Sequence, residues 1–473
     1  MLGQSSLSLG GRLLNATDSP ISIARSVVNI LGGGQFVSTT PEALVQTTGG
    51  SLTLAGLASI PVEGGTLNFT TGSFLQMSSP DPEAMASLTV DGGLLHSSGT
   101  PISGQNHFLD IGSNAHVTST GADPAVVLVN SPLTIAGVGS FTTEEGTASS
   151  PFGNFLNICC TNSMTLTSPL LLATDSPLTV AGALVSVFGG GQLISTTTDS
   201  LVKLVGGVHE IGSGTFSGEI EIGPQVFTMP ASLLDLRGIT TDAAGLGTDP
   251  VLQTGGTVFE ANGATVNLAG SGNAISIDTA LLAAAAPIVK LINSTLNTSA
   301  DGDPATGAMH LFRSAVTSLG PVFNLDNSVL TVQSGPLLVL TGGSNLAVNG
   351  DFASLINGSR ITVVNGPLIF VDGINASGTP STLTVTGGVV NFGGTGGNQV
   401  IVNNAIAPTA VLSGLPVNVG GGGSAIAIGP SPIKNPALGT VSINGVLAGP
   451  GPHTGSLIQA TNGGQVSITA PAP

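Results

Sequence analysis

Three stretches of this 473-residue chain carry nearly the same sequence. Leu14-Asn15-Ala16-Thr17-Asp18-Ser19-Pro20-Ile21-Ser22-Ile23 returns as Leu171-Leu172-Ala173-Thr174-Asp175-Ser176-Pro177-Leu178-Thr179-Val180. It returns again, more loosely, as Phe323-Asn324-Leu325-Asp326-Asn327-Ser328-Val329-Leu330-Thr331-Val332. Each copy leads into an apolar run ending in glycines: Val27 to Gly34, Leu184 to Gly191, and Leu337 to Gly343. The first two copies stay in step without a gap from Ala16 to Gly50 and from Ala173 to Gly207. Such a chain is a duplicated architecture, and repeats imply an elongated body built for surface, reach or assembly. The expected division is into blocks 1–157, 158–313 and 314–473.

Inside each third a shorter beat runs. Gly49-Gly50-Ser51-Leu52-Thr53-Leu54, Gly387-Gly388-Val389-Val390-Asn391-Phe392 and Gly463-Gly464-Gln465-Val466-Ser467-Ile468 share one pattern of paired glycines followed by alternating residues. Alternation with period two reads as a strand with one face buried, and the glycines as a preceding turn at positive φ. A Pro or Asp opens another apolar run upstream, as in Pro41-Glu42-Ala43-Leu44-Val45, Asp249-Pro250-Val251-Leu252 and Pro336-Leu337-Leu338-Val339-Leu340. Rungs of two or three short strands therefore recur roughly every twenty to thirty residues, the coil length of a parallel β-helix. One rung alone has open backbone edges and cannot bury its apolar side, whereas the next rung remedies both. Asn130, Asn293 and Asn327, each followed by Ser, suit turn corners, either as stacked ladders or as ordinary turn asparagines. Three stretches break the beat. Residues 407–455 are rich in Gly and Pro, Glu144 to Pro151 reads as a polar loop, and Ala283 to Ala286 could make a helical turn that Pro287 stops.

Composition narrows the field. Charged residues are 7% of the chain against roughly a quarter in ordinary soluble domains, so most of the surface is uncharged. With 70 glycines, 29 prolines and only 8 Lys plus Arg, strands and tight turns are favoured over helices. The net charge of −17 and the scattered cations argue against nucleic acid as a partner. No apolar run approaches the roughly twenty residues of a membrane-spanning helix, and a chain without Trp or Tyr lacks the aromatic girdle of an outer-membrane barrel. Met1 to Ser6 shows no basic segment ahead of an apolar core, so no signal peptide is read there.

The Gly-Gly-x-apolar-x-apolar strands, with segments such as Ser381-Thr382-Leu383-Thr384-Val385-Thr386-Gly387-Gly388, resemble right-handed parallel β-helix proteins. Within these the chain is most similar to bacterial surface proteins of the filamentous-haemagglutinin and autotransporter-passenger type. The resemblance implies an all-β solenoid of stacked rungs, secretion, and a role as adhesin or fibre. The chain departs from the full autotransporter plan in ending Ala470-Pro471-Ala472-Pro473, with no terminal aromatic of a membrane barrel.

Parallel β-helices also carry polysaccharide lyases and hydrolases, whose sites need clustered carboxylates. Asp301 with Asp303, Glu219 with Glu221, and Asp81 with Glu83 are the candidate pairs. Turn and solvated-strand compositions explain all three more simply. His107, Asp110 and His116 fall close together and hint at a metal site, but sites of this kind need three or four convergent ligands, and a turn-borne surface cluster is the simpler reading. No phosphate loop, dinucleotide fingerprint, calcium repeat or cofactor is called for. Cys159 and Cys160 are neighbours; on a strand they would point to opposite faces, and the alternatives are a disulfide between subunits or a vicinal bridge. Asn-x-Ser/Thr sequons stand at Asn15, Asn68, Asn293, Asn297, Asn357 and Asn375, a number that chance supplies in such a composition.

The expectation is a structural protein of the cell surface or extracellular space, not an enzyme, that polymerises with itself into a filament, sheath or surface layer. Uncharged flat β faces are avoided by proteins that must stay monomeric. A monomeric adhesin binding cell-surface glycans is the alternative, with a carbohydrate-active enzyme behind it.

Overall fold

The computed structural model describes residues 5–55, 57–62, 65–70, 72–79, 81–137, 139–143, 146–150, 153–160, 162–213, 220–222, 225–227, 232–238, 249–269, 273–299, 307–372, 381–403, 433–434, 439–443, 446–447, 458–461 and 465–468. Every regular element among them is a strand. The fold is a parallel β-helix: short strands from successive coils pair in parallel, in register, to build four long sheets. Each coil therefore has four faces, one more than the three-strand rung expected from the sequence. The missed strand follows a corner only two or three residues long, as between Leu14–Thr17 and Pro20–Ile23, where the pattern runs on without an obvious break.

Packing divides the chain into two units, residues 1–197 with 203–251 and residues 198–202 with 252–473. In the first, the first face is formed by Ser6–Leu9, Gln35–Ser38, Ala86–Val90, Ala115–Ser119, Ser163–Leu166 and Gln192–Ser195. The second, third and fourth faces follow in chain order within each coil, as Leu14–Thr17, Pro20–Ile23 and Val28–Leu31 do in the first coil. Ser6 pairs with Gln35, 29 residues on, which is the length of an uninterrupted coil. In the second unit Phe259 pairs with Val289 and Lys290 with Asn324 on the second face, while Leu281 pairs with Ala315 on the first. Leu281–Ala284 is thus a strand, and Ala283, expected in a helical turn, is extended there because its neighbours above supply a parallel partner.

Alternation sets the inside and outside. Ser51–Leu54 buries Leu52 and Leu54 and leaves Ser51 and Thr53 half-exposed. Stacking puts like residues above like: Phe74, Phe108 and Phe155 lie on successive coils with ring centroids 5.2 and 5.4 Å apart. Each such buried side chain contributes roughly 1.5–3 kcal/mol relative to leaving it in water.

The sequence repeat lies at the corner between the second and third faces. Asp18, Asn130 and Asp175 in the first unit, and Asn293, Asn327 and Asn357 in the second, all hold a left-handed backbone there. The remaining coils use glycine at that corner, as at Gly49, Gly99, Gly206 and Gly263. A short polar side chain or none is what this conformation tolerates. The serine that follows does the stacking. In the second unit Ala264 N–H donates to Ser294 Oγ, Ser294 N–H to Ser328 Oγ, Ser328 N–H to Ser359 Oγ, and Ser359 N–H to Asn398 Oδ1, at 3.0–3.1 Å. Each of the three serine hydroxyls donates in turn to a carbonyl of its own strand end at 2.7 Å. In the first unit Ser131 and Ser176 play the same part, and buried His209 continues the row by accepting from Leu178 N–H. The ladder expected of the asparagines thus runs mainly through the next residue. Asn327 Nδ2 does bond Asn293 Oδ1 at 2.8 Å, but on the exposed outside.

Paired glycines serve two different needs. Gly49 and Gly50 have φ of 66° and 65°, and a Cβ on Gly50 would also lie 2.3 Å from Ser19 O. Gly387 has no left-handed backbone; a Cβ there would sit 2.6 Å from Gly350 C and 2.4 Å from the Asp351 carboxylate. Close approach of the neighbouring coil, rather than turn conformation, demands glycine at that position.

Ser328→Ala removes the acceptor of a buried N–H and is expected to cost about 1–3 kcal/mol. Asn327→Gly, which keeps the left-handed corner, costs far less. Urea unfolding of the two variants measures the difference, and equal stabilities would show that the serine row carries no weight.

Candidate functional site

The corner between the third and fourth faces is where the chain departs from its coil. In the first unit two hairpins leave there, Leu57–Val62 with Gly65–Thr70 and Gly139–Thr143 with Gly146–Ser150. They come from the second and fourth coils and pair with each other, Thr66 to Asn68 against Ser140 to Thr142, as a four-stranded antiparallel sheet. The polar loop expected at Glu144 to Pro151 is for the most part the second hairpin; Glu144, Glu145 and Pro151 themselves lie outside the described residues. A third hairpin, Ile220–Ile222 with Gln225–Phe227, leaves the same corner two coils later. Of the stretch 407–455, Ile433–Lys434 and Gly439–Ile443 pair with the second-face strand Val390–Gly393 and the third-face strand Asn398–Val402; apart from these and Val446–Leu447 it lies outside the described residues.

The third coil, between the two hairpin-bearing ones, has only a short connector, and it carries His107. His107 is buried and its Nδ1 accepts from Asn154 N–H at 3.1 Å, where the chain returns from the second hairpin. Asn154 passes the bonding on. Its Oδ1 accepts from Ala183 N–H at 2.8 Å, and its Nδ2 reaches Asn157 Oδ1 at 3.5 Å. Asn157 Nδ2 then donates to Asp110 Oδ1 at 2.9 Å. Asp110, Asn157, Ser186 and Asp235 stand in one row across the outside of the fourth face, each in register with the next. Burial holds His107 below its usual pKa, against an opposing pull from Asp110, so the ring is neutral. His209 is lowered as well, mainly by burial.

This cluster joins His107, Asn154, Asn157 and Asp110, and its geometry is that of a structural network. Asp110 and Asp235 stand three strands apart, about 14 Å at a strand spacing of about 4.8 Å, beyond the separation of either kind of glycosidase carboxylate pair. His116, expected beside His107 and Asp110, lies around the corner on the first face, its Nδ1 2.5 Å from Ser163 Oγ. No three His, Cys, Asp or Glu side chains converge as a metal site among the described residues. Asp81 and Glu83 form an exposed turn in which Glu83 N–H donates to Asp81 Oδ1 at 2.9 Å. Asp301, Asp303 and Glu219 lie outside the described residues, as does the side chain of Glu221.

The two cysteines correct the sequence reading. Cys159 ends a fourth-face strand, but Cys160 has φ 69°, which breaks the alternation and brings both free thiols to one side, Sγ to Sγ 2.7 Å. Asn162 ties the corner down: its Nδ2 donates to Ile111 O at 3.2 Å and also to Gly112 O and Cys159 O, and its Oδ1 accepts from Ala115 N–H at 2.8 Å. The hydrogen bond with Cys159 lowers Cys160 to about 6 despite its burial, with Ser113 adding to the effect. Cys159 is pushed far up by the same bond.

Sequence reasoning also missed Glu260. It is buried on the second face, accepting from Ser200 Oγ at 2.7 Å and Lys290 Nζ at 3.2 Å. The signal was present, since Lys290 follows Glu260 by one coil length. Comparison of the chain with known protein families, with curated proteins and with solved structures finds no match to any of the three.

Because His107 and His209 are held neutral while their unfolded forms take up protons below about 6.5, stability is full above that pH and falls as pH drops through it. Each contributes a slope of up to about 1.4 kcal/mol per pH unit. Thermal melts between pH 8 and 5.5 should show the fall, and His107→Gln, which keeps a neutral acceptor, should reduce it to the share of His209.

Proposed function

We propose that the protein is an extracellular structural element whose copies assemble side by side into a filament, sheath or surface layer. One observation carries this reading: none of the first-face strands among the described residues contains Asp, Glu, Lys or Arg. In the first unit Val37, Thr89, Thr118, Thr165 and Ile194 stack in one outward column of β-branched side chains. In the second, Leu281, Ala315, Asn345 and Thr382 make the corresponding kind of row. Val37 and Leu281 bring large apolar side chains, 38% and 43% exposed, into these rows. A flat, regular, charge-free β surface has nothing to oppose its stacking on a copy of itself. The likeness to filamentous-haemagglutinin and autotransporter-passenger proteins supports an exported surface location.

A second reading, an adhesin for cell-surface glycans, has its own support. Ser22, Thr53, Ser103, Thr134 and Thr179 line up along the outside of the third face, offering hydroxyls about 4.8 Å apart. Sugar rings, however, are gripped chiefly by stacking on Trp and Tyr, and the chain has neither. Self-assembly is the better supported of the two.

Electron microscopy of the purified protein is expected to show regular polymers. Thr118→Lys with Thr165→Lys, which sets two like charges on the first face, should leave strand content unchanged by circular dichroism and dissolve the polymers. The pair Thr53→Lys with Thr134→Lys on the third face should leave them intact. Assembly should also survive from low salt to about 1 M, where the Debye length shrinks to about 3 Å. Isolated particles for the unaltered protein at every concentration would remove this reading.

A further inference from the structure

We propose that Cys159 and Cys160 are a two-thiol oxidation site that closes to a vicinal disulfide within one chain when it meets hydrogen peroxide. A strand would hold the two side chains on opposite faces, and the left-handed backbone of Cys160 cancels that separation. Both sulfurs then lie outside the fourth face, half-buried, 2.7 Å apart and unbridged. Little movement is needed to bond them. Left-handed backbone is unfavourable for a residue with a Cβ, and the neighbouring corners of the first unit use Gly32 and Gly33, Asn114, and Gly189 and Gly190 at the same place. A cysteine is the one residue type there that gains chemistry from the conformation. Asn162 bonds the carbonyls of Cys159 and of the coil below, so the corner is held while the side chains react.

The environment also orders the steps. The Cys160 thiolate is favoured by the hydrogen bond it receives from Cys159, which makes Cys160 the nucleophile. Its sulfur attacks one peroxide oxygen, the O–O bond breaks, and the departing hydroxide takes up a proton to leave as water. Cys160 is now a sulfenic acid. The Cys159 sulfur attacks the Cys160 sulfur, the S–O bond breaks, and the hydroxide leaves as a second water with the proton of the Cys159 thiol. Two thiols and one peroxide give one disulfide and two waters, with two electrons passing from sulfur to oxygen. Adjacent Cα atoms are about 3.8 Å apart, shorter than disulfides ordinarily span, so the bridge should be readily reduced again.

The experiment treats the full-length protein with equimolar hydrogen peroxide. The expected result is a mass lower by two hydrogens, a peptide in which Cys159 and Cys160 are linked, migration as a single chain on a non-reducing gel, and return of both thiols with dithiothreitol. Cys159→Ala also loses the hydrogen bond that favours the Cys160 thiolate, so it should react more slowly than the unaltered protein and, once oxidised, stop at a Cys160 sulfenic acid that dimedone traps, whereas Cys160→Ala should leave Cys159 unoxidised at the same dose; melting temperatures establish that both variants are folded. Disulfide-linked dimers, oxidation of Cys159 in the absence of Cys160, or two free thiols after peroxide would each overturn the proposal.

Discussion

Everything in this molecule follows from the need to satisfy the backbone of strands two to six residues long. Such a strand has too few side chains to hold itself in place, and its N–H and C=O groups must find partners. A parallel copy one coil away supplies all of them at once, provided the coil length repeats. That requirement fixes the 29-residue step from Ser6 to Gln35 and the 30-residue step from Phe259 to Val289, and it explains the corners as well. At a corner the ladder of strand bonds is interrupted, so the serine hydroxyls of Ser294, Ser328 and Ser359 stand in for the missing carbonyl acceptors. The sequence repeat is therefore strongest at the corner, where the chemistry is least replaceable, and weaker along the strands, where any Val, Ile or Leu will fill the core.

The repeat, the solenoid and the turn role of Asn130, Asn293 and Asn327 were legible in the sequence because each depends on local pattern. The fourth strand was not, since the corner from Asp18 to Ser19 is too short to mark a break between two apolar-alternating runs. The pairing of Cys159 with Cys160 was hidden for a different reason: it turns on one backbone angle, and nothing in Ile158-Cys159-Cys160 announces it. The network of His107, Asn154, Asn157 and Asp110 was hidden because its members are 47 residues apart across an inserted hairpin, which breaks the coil step by which they could have been aligned. Where no insertion intervenes, as between Glu260 and Lys290, the coil length alone would have revealed the contact.

Insertions and wall have separate tasks. The three described hairpins of the first unit leave between the third and fourth faces, and outside the fourth face of that unit Asn157, Ser186 and Asp235 are buried while Asn29, Gln76 and Asp110 are half-buried. Polar groups buried in that way must be bonded, which is why this face carries Asn, Asp and His where the first carries Thr and Val. Each described first-face strand keeps its row of uncharged side chains. An insertion there would interrupt the very surface on which lateral assembly would depend.

The few charges are placed in keeping with that division. Arg12 meets Glu42 at 2.9 Å, and Lys290 meets Glu260 at 3.2 Å, each pair linking residues one coil length apart. Pairing along the stack neutralises these two acids within the chain, and the excess of carboxylates, 25 acids against 8 bases, lies outside the described first-face strands. A solitary solenoid gains nothing from this economy, since unpaired surface charge would aid its solubility at little cost in stability. A solenoid that packs against others gains directly, because each unpaired charge at a contact would have to be stripped of water when the faces meet. The charge-free first face is therefore the part of the wall on which the proposed lateral assembly would rest, while in the first unit the corner that carries the hairpins is left free to differ.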